Sequence, residues 1–343
     1  MSSCSDPAWN GAVRAIPQSP AWESLCAEVE SGFLNHFAAL GYRLYPEEPL
    51  LPATDPTLLF TNSFIVALKP LIRQGLVHEG ERLVMRQACL RTQNLHRHPL
   101  DCSPMAYGSR FEMVGGLVGV AHLPALLFQL YSFLERSGVA GRLRMKASTS
   151  TEFFLLNCAD TPWHGITSID DEPESYYRWG YGEPGLYGRG VTFALPSEDR
   201  SETGDFGNIV ELVYDGSTIG YEFGFGVETF VSRKHGVRNS IAVGPLADLP
   251  GRWSAPQFDY MKDLLRIAHT LHCLGITAGK GGVRQIMRKT CRALAQQLDA
   301  GFATEEELII ALEHLRFPDI TRFMRMLRGQ QHLVRQQTEA AAP

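Results

Sequence analysis

The chain has 343 residues, of which 44% are hydrophobic and 20% charged, a balance that excludes a disordered polar chain and a collagen-like repeat. At about 100–200 residues per domain it holds one large domain or two medium ones, long enough to need no disulfide staples. Thirty-two Lys and Arg against 37 Asp and Glu give a net charge of −5, so any nucleic-acid contact is confined to a local patch.

In chain order, residues 1–20 are rich in Pro and Ser and read as a mobile arm. They hold no basic region followed by an apolar run, and Pro7, Pro17 and Pro20 interrupt them, so no secretory leader is expected. Residues 21–40 have helical spacing, with Leu25, Val29, Phe33, Phe37 and Leu40 on one face. Residues 42–55 read as a strand with turns. Strands are expected over 82–91, 106–120, 151–158, 188–195, 208–214 and 218–227, where polar residues alternate with β-branched or aromatic ones. Met113 to Leu134 carries no formal charge and has the length of a membrane span. Its glycines, His122, Gln129 and Pro124 favour a buried strand followed by a core helix over about 123–136.

Helices follow after 255: two within 257–299, broken at Gly275–Gly282, then 304–315 and 319–328. Thr304 and Glu307 have the spacing of a capping box. Strands first and helices afterwards make an α+β chain, a sheet domain over 21–240 and a helical domain over 255–330. The Gly/Pro-rich stretch 236–256 divides them, and 331–343 reads as a frayed tail.

Seven cysteines, an odd number with no Cys-x-x-Cys, suit a reducing cytoplasm and oppose a zinc ribbon. Gly275-Ile-Thr-Ala-Gly279-Lys280-Gly281-Gly282 is one residue short of a phosphate loop and has no Ser or Thr after its lysine, so it reads as a turn between helices. His96, His98 and Cys102 beside Asp101 fit no closed tetrahedral metal spacing. Two local signals point to a ligand. A strand ending in Arg91, a loop with His96, Arg97 and His98, and a return at Arg110-Phe111-Glu112-Met113 make a hairpin that can set arginine on a phosphate and an aromatic face on a base; an ordinary hairpin with a solvated loop reads equally from the same residues. Gly224-Phe225-Gly226-Val227-Glu228 leaves one strand face bare for a flat ligand.

These residues resemble the alanyl-tRNA synthetase family of class II aminoacyl-tRNA synthetases. Asp55-Pro56-Thr57-Leu58-Leu59-Phe60-Thr61-Asn62 is similar to its motif 1 region, and Cys89-Leu90-Arg91 with Phe111-Glu112-Met113-Val114-Gly115 to its motif 2. Asn208 to Tyr214 resembles the strand before motif 3, Gly224 to Glu228 motif 3 itself, and Gly281 to Lys289 the start of the helical domain. The resemblance implies an antiparallel class II sheet flanked by helices, with a C-terminal helical domain. It implies ATP and an amino acid bound side by side, Mg²⁺ on the phosphates, and an aminoacyl-adenylate as product. Arg91 would hold the α-phosphate as the catalytic cation and Phe111 would stack on adenine. His98, Met113, Gly226 and Glu228 would complete the ATP site, and no protein-held metal is implied. Trp179, Glu211, Glu222 and Gly224 would form the amino-acid pocket, Glu222 receiving the ammonium.

Three departures bear on function. Thr229 stands where motif 3 has an arginine, and Arg233, one helical turn on, is the candidate substitute. Glu211 stands where the family has an asparagine; beside Glu222 it would favour a substrate with a second amine. The family's editing and C-terminal tRNA-binding modules are not in the 343 residues. Arg284, Arg288 and Lys289 remain as a cationic stripe facing an acceptor or RNA, or as a solvated helix face. The expected function is therefore a cytoplasmic ligase that activates an amino acid and passes it to a non-standard acceptor: a small molecule, a nucleoside derivative or a carrier protein, in specialised metabolism. A non-catalytic synthetase-like protein that binds tRNA or nucleotide, and a minimal alanyl-tRNA synthetase, are the alternatives. No membrane partner is expected, and the resemblance allows a homodimer paired through the motif 1 region.

Overall fold

Side chains on a strand leave alternately to opposite faces, and the long strands here use that alternation to build two different surfaces. The computed structural model describes residues 22–341 apart from 54, 152–153, 155–156, 170–171, 197–203 and 250. The strands are β1 (Arg43–Leu44), β2 (Arg82–Leu90), β3 (Arg110–Val118), β4 (Arg144–Ala147), β5 (Thr167–Ile169), β6 (Arg178–Gly180), β7 (Leu186–Ala194), β8 (Asp205–Tyr214) and β9 (Ser217–Gly226). They form one sheet in the order β1-β2-β3-β9-β8-β7-β4-β5, with β6 pairing β7. The antiparallel core runs from β2 to β4. Parallel pairs at both edges, β1 with β2 and β4 with β5, make the sheet mixed.

Val84, Val114, Val118, Val191, Phe193, Ile209, Phe223 and Phe225 point to one face. There they bury against α1 (Trp22–Ala39), α3 (Leu123–Arg136) and α4 (Val227–His235) through Phe33, Phe37, Leu126, Leu130 and Phe230. Leu83, Met85, Leu117, Leu186, Val210 and Leu212 point to the other face. Among the described helices α2 (Ile65–Arg73) covers them, through Ile65, Leu68, Ile72 and the preceding Phe64, and Trp179 and Tyr181 pack against the same cluster. This half-covered face holds the site.

The helical part consists of α5 (Asp259–Cys273), α6 (Gly282–Asp299), α7 (Glu305–His314) and α8 (Ile320–Ala341). Thr304 caps α7 in a capping box with Glu307, as its spacing predicts. The core of these helices also takes in Phe60, Leu90, Met105 and Ile241 from the sheet region, so helices and sheet share apolar burial. Gly275–Gly282 is the turn between α5 and α6, with Gly275, Gly281 and Gly282 at positive φ.

Several sequence expectations need correction. Residues 42–55 contribute only the two-residue β1. In place of a strand over 151–158 there is a 3₁₀ turn at Thr149–Thr151, and residues 154, 157 and 158 are helical; 152–153 and 155–156 lie outside the described residues. Helix α2 escaped the pattern because it is buried nearly all round and contains Pro70, both of which blur a helical signal. The frayed tail is helix as far as Ala341: Ala, Gln and Glu favour helix, and Gln331 and Arg335 both donate to Asp299 at 2.6 Å. The arm expected over 1–20 lies outside the described residues. No described helix is long and apolar enough to cross a membrane; Met113–Leu134 is divided between β3 and α3.

One charged pair sits inside the α2 layer. Lys69 and Asp55 are 1% and 2% exposed, with Lys69 Nζ 2.5 Å from Asp55 Oδ2. Burial pushes the Asp55 carboxyl up, but hydrogen bonds from Lys69 and Thr57 outweigh it and hold it below its usual value. Breaking a buried pair leaves an uncompensated charge, at a cost of about 3–5 kcal/mol. Lys69→Ala is expected to lose that much in a urea titration at neutral pH. Because the folded-state pKa of Asp55 is depressed, its contribution holds at neutral pH and disappears as pH falls through that lowered value.

Candidate active site

The site is built on the half-covered face from the ends of β2, β3 and β9. Arg91 follows β2, and its backbone N–H donates to Ser109 O at 2.8 Å across the base of the hairpin. Its Nε donates to Asn62 O at 3.1 Å, which ties the motif 1 segment to motif 2. Its guanidinium carbon lies 4.9 Å from the centroid of the Phe111 ring. The structure thus brings the predicted cation and the predicted aromatic together, and the two stack on each other. Arg91 is exposed to solvent as a residue, while desolvation by the surrounding protein lowers its pKa; an arginine remains a cation even so.

The face assignment of β9 follows from its alternation. Tyr221, Phe223 and Phe225 enter the helix-covered core, so Glu222, Gly224 and Gly226 face the cleft. Glu222 is 8% exposed. Burial pushes its carboxyl up to about 7, against the opposing effects of the Tyr181 hydroxyl, which donates to Oε2 at 2.8 Å, and of the Arg91 charge. Trp179, on β6 opposite Gly188, and Tyr181 pack on the same apolar patch as Val210 and Leu212. Met113 is half-buried on that face, paired in register with Gly226 and Gln87.

Glu211 is elsewhere, and its predicted place beside Glu222 is corrected. Register pairs Glu222 with Val210, and Glu211 with Tyr221, whose ring lies in the opposite core. Glu211 is buried there, taking hydrogen bonds from Arg189 and from Thr218 Oγ1, the latter at 2.7 Å. One residue of register decides the face. The bare strand face expected at the glycines is also filled. A Cβ on Gly224 would come within 2.7 Å of Gly115 Cα and 2.9 Å of Phe64, so the Phe64 ring occupies the space these glycines leave. Above Gly226 sit Thr229 and Phe111.

Glu228 does not reach into the cleft as an ATP ligand would. It is buried at the start of α4, accepting from the backbone N–H of Glu112 at 2.9 Å and from Arg266 Nη2 at 3.0 Å. Arg233 is half-buried one turn past Thr229, and the carbonyls of Arg233 and Lys234 accept from Arg142 at that end of α4. The loop after Arg91 is anchored rather than solvated. Arg97 pairs with Asp101 at 2.9 Å and donates to Ser103 O at 2.8 Å. His98 is exposed, accepting from the Leu100 N–H at 3.3 Å. Arg284, Arg288 and Lys289 lie on α6, which touches this loop at Gln297, donating to Pro99 O at 2.9 Å. At 1.5 Å per residue they are about 12–20 Å from that contact along the helix axis.

Sequence reading missed five contributors: Asn62, Phe64, Tyr181, Lys146 and Asp205. Alternation counted outward from Gly224 through Asn208 and Thr192 leads to Lys146, whose Nζ lies 3.3 Å from Asp205 Oδ1. Among the described residues no group of three or more His, Cys, Asp or Glu side chains is placed to hold a metal.

A family model described as tRNA synthetases class II (A) matches residues 28–102. The alanine–tRNA ligase of Rhodopseudomonas palustris is 26% identical over 350 residues, covering 88% of this chain and 39% of that protein. The alanine–tRNA ligase of Nitrobacter winogradskyi is 36% identical over 92 residues, 26% of this chain and 10% of that one. Among solved structures, histidyl-tRNA synthetase of S. aureus gives a TM-score of 0.37 at 9% identity over 65% of this chain and 73% of that chain. Aspartyl-tRNA synthetase of Entamoeba histolytica gives 0.38 at 10% identity over 65% and 57%. The chain is class II aminoacyl-tRNA synthetase-like. Within that class its likeness is to the alanine–tRNA ligases, and it spans about two fifths of the length of the relative that covers most of it.

The raised pKa of Glu222 has a stability consequence. The folded state holds its proton to about pH 7, whereas the unfolded chain releases it near the ordinary 4.5. The folded state therefore binds more protons between those values, and stability falls as pH rises through that window. Glu222→Gln is expected to remove this loss, making the variant the more stable protein at pH 8 but not at pH 4, by thermal melts at both.

Proposed function

We propose that the chain activates an amino acid with ATP, forming an aminoacyl-adenylate, and passes the aminoacyl group to an acceptor other than a full tRNA. The observation that carries this reading is the pairing, on one face of one sheet, of the Arg91–Phe111 stack with the buried carboxyl of Glu222. These are a cation for phosphate, a ring for a purine and an acid for an ammonium.

In this reading the substrate ammonium docks on Glu222, a partner that favours the ionised form and draws the carboxyl pKa down. The substrate carboxylate then faces Arg91. Its oxygen attacks the α-phosphorus of ATP, the bond to the β-phosphate oxygen breaks, and pyrophosphate leaves. Such chemistry asks the protein for positioning and charge stabilisation rather than a nucleophile. Arg91 supplies the charge, after its guanidinium leaves the Phe111 ring and frees that face for adenine. The acceptor nucleophile next attacks the carbonyl carbon and AMP departs. Magnesium, when bound, would neutralise phosphate charge; it keeps several waters and needs only one or two carboxylates, and the half-buried Asp205 would have to exchange its bonds from Lys146 and Tyr176 to serve as one.

Two features favour an acceptor smaller than tRNA. The chain is net acidic, and Arg328 and Arg335 on α8 are spent in pairs with Glu305 and Asp299. Small molecules, nucleoside derivatives and carrier proteins are the candidate acceptors. Two observations favour a non-catalytic, nucleotide- or tRNA-binding alternative: Thr229 in place of an arginine, and Glu228 committed to Arg266. Transfer of alanine to a minihelix would instead point to a minimal alanyl-tRNA synthetase.

ATP–pyrophosphate exchange over a panel of amino acids separates these readings. Exchange with at least one amino acid is expected, and Arg91→Ala should lower it by about 10²–10³-fold, the usual scale for losing a preorganised charge-stabilising donor. No exchange with any amino acid, combined with retained ATP or tRNA binding, would establish the non-catalytic alternative. For the active amino acid, KM should fall as pH rises through about 7, where Glu222 ionises. Glu222→Gln should abolish that limb of the profile.

A further inference from the structure

The loop that carries Arg91 is held from outside the sheet. Asp263, on the second turn of α5, is 0% exposed and accepts three hydrogen bonds from the hairpin. The Ser109 backbone N–H donates to Oδ1 at 2.6 Å, Ser109 Oγ to Oδ2 at 2.6 Å, and Asn94 Nδ2 to Oδ2 at 3.0 Å. Asn94 opens the loop and Ser109 closes it, so one carboxylate ties the outgoing arm to the returning arm. Ser109 O in turn accepts from the Arg91 N–H. Gly108 N–H donates to Ser240 Oγ at 2.9 Å, which fixes the same arm a second time. Arg266, three residues along α5 and so on the same helix face, donates to Glu228 of motif 3, whose other oxygen accepts from Glu112 N–H of motif 2.

We propose that Asp263, with Arg266 beside it, is a positioning residue: α5 clamps both arms of the nucleotide loop and ties motif 2 to motif 3, so that the helical part of the chain sets the geometry of Arg91. This inference rests on the activation reading and extends it. Three observations support it independently of the comparisons. The donors to Asp263 come from both ends of the loop. The core around α5 takes in Leu90, which leads into the same loop, and Met105, which lies within it. Further out, Gln297 of α6 donates to Pro99 O at the loop tip. Burying a carboxylate is costly unless donors surround it, and burial does push the Asp263 carboxyl up against the opposing Ser109 and Asn94 bonds. The clamp thus places a costly group where both arms can satisfy it.

Asp263→Asn tests this, because it preserves shape while turning one acceptor oxygen into a donor that faces the Asn94 amide. In the full chain, amide hydrogen exchange over residues 92–109 is expected to speed up by about tenfold or more, the scale of losing a charged hydrogen bond, while α6 stays at wild-type rates. In pyrophosphate exchange, KM for ATP should rise about 10- to 100-fold with KM for the amino acid unchanged. Should Asp263→Asn fold poorly, Asn94→Ala removes one arm of the clamp from a half-buried loop position, and should shift both readouts the same way by less. Loop exchange and ATP KM at wild-type values in either folded variant would overturn the clamp, as would a uniform rise in exchange across the chain. If the wild-type protein exchanges pyrophosphate but Asp263→Asn equals it, the clamp is lost and the activation reading stands. If the wild-type protein is inactive, that reading falls, and the localised hydrogen exchange still decides the clamp.

Discussion

The strict two-residue alternation of β9 is the constraint on which the rest depends. Phe223 and Phe225 fill the core beneath α1 and α4, so Glu222, Gly224 and Gly226 must face the other way. Antiparallel register then carries that assignment across the sheet, to Gly115 and Met113 on β3 and to Val210 and Asn208 on β8. A one-residue slip of β9 would bury Glu222 among phenylalanines, and one of β8 would turn Glu211 to the front. The aromatic cluster makes that shift costly. Phe33 and Phe225 meet edge to face at 5.3 Å, and Phe225 lies 4.9 Å from Phe230. The packing of the back of the sheet thereby fixes the chemistry of the front.

The front is a balance of opposing costs. Burial raises the Glu222 carboxyl to about 7, against the pull of one tyrosine hydroxyl and a nearby guanidinium. The guanidinium is in turn held over a ring and against the Asn62 carbonyl. Their surroundings are saturated: Asp263, Glu228 and Asp259 are each buried with two or more donors.

The departures from the family pattern look different in three dimensions. Glu211 reads in one dimension as an altered pocket residue. In the fold it closes a pair with Arg189 on the opposite face and leaves the pocket to Trp179, Tyr181 and Val210. Thr229 reads as a lost cation. In the fold it sits over Gly226, a glycine that Phe111 also approaches, and is nearly buried there. Phe64 drew no attention in the sequence because it lies at the start of a short apolar helix, yet its ring closes the space over Gly115 and Gly224.

What the sequence determined by itself is what depends on neighbours along the chain. The long strands, the helix started by Pro124, the Thr304 capping box and the Gly275–Gly282 turn all follow from local spacing and backbone preference. So did the pairing of Arg91 with Phe111, because the two ends of a hairpin stay together whatever the rest does. What only the tertiary structure decided depends on register and on distant partners. The face taken by Glu211 needed the pairing of β8 with β9. The role of Glu228 needed Arg266 from a helix 38 residues on, and that of Asp263 needed Ser109 and Asn94, 154 and 169 residues before it, to meet it. Local patterns leave those choices open because a buried charge looks the same in sequence whether its partner is a substrate or another part of the chain.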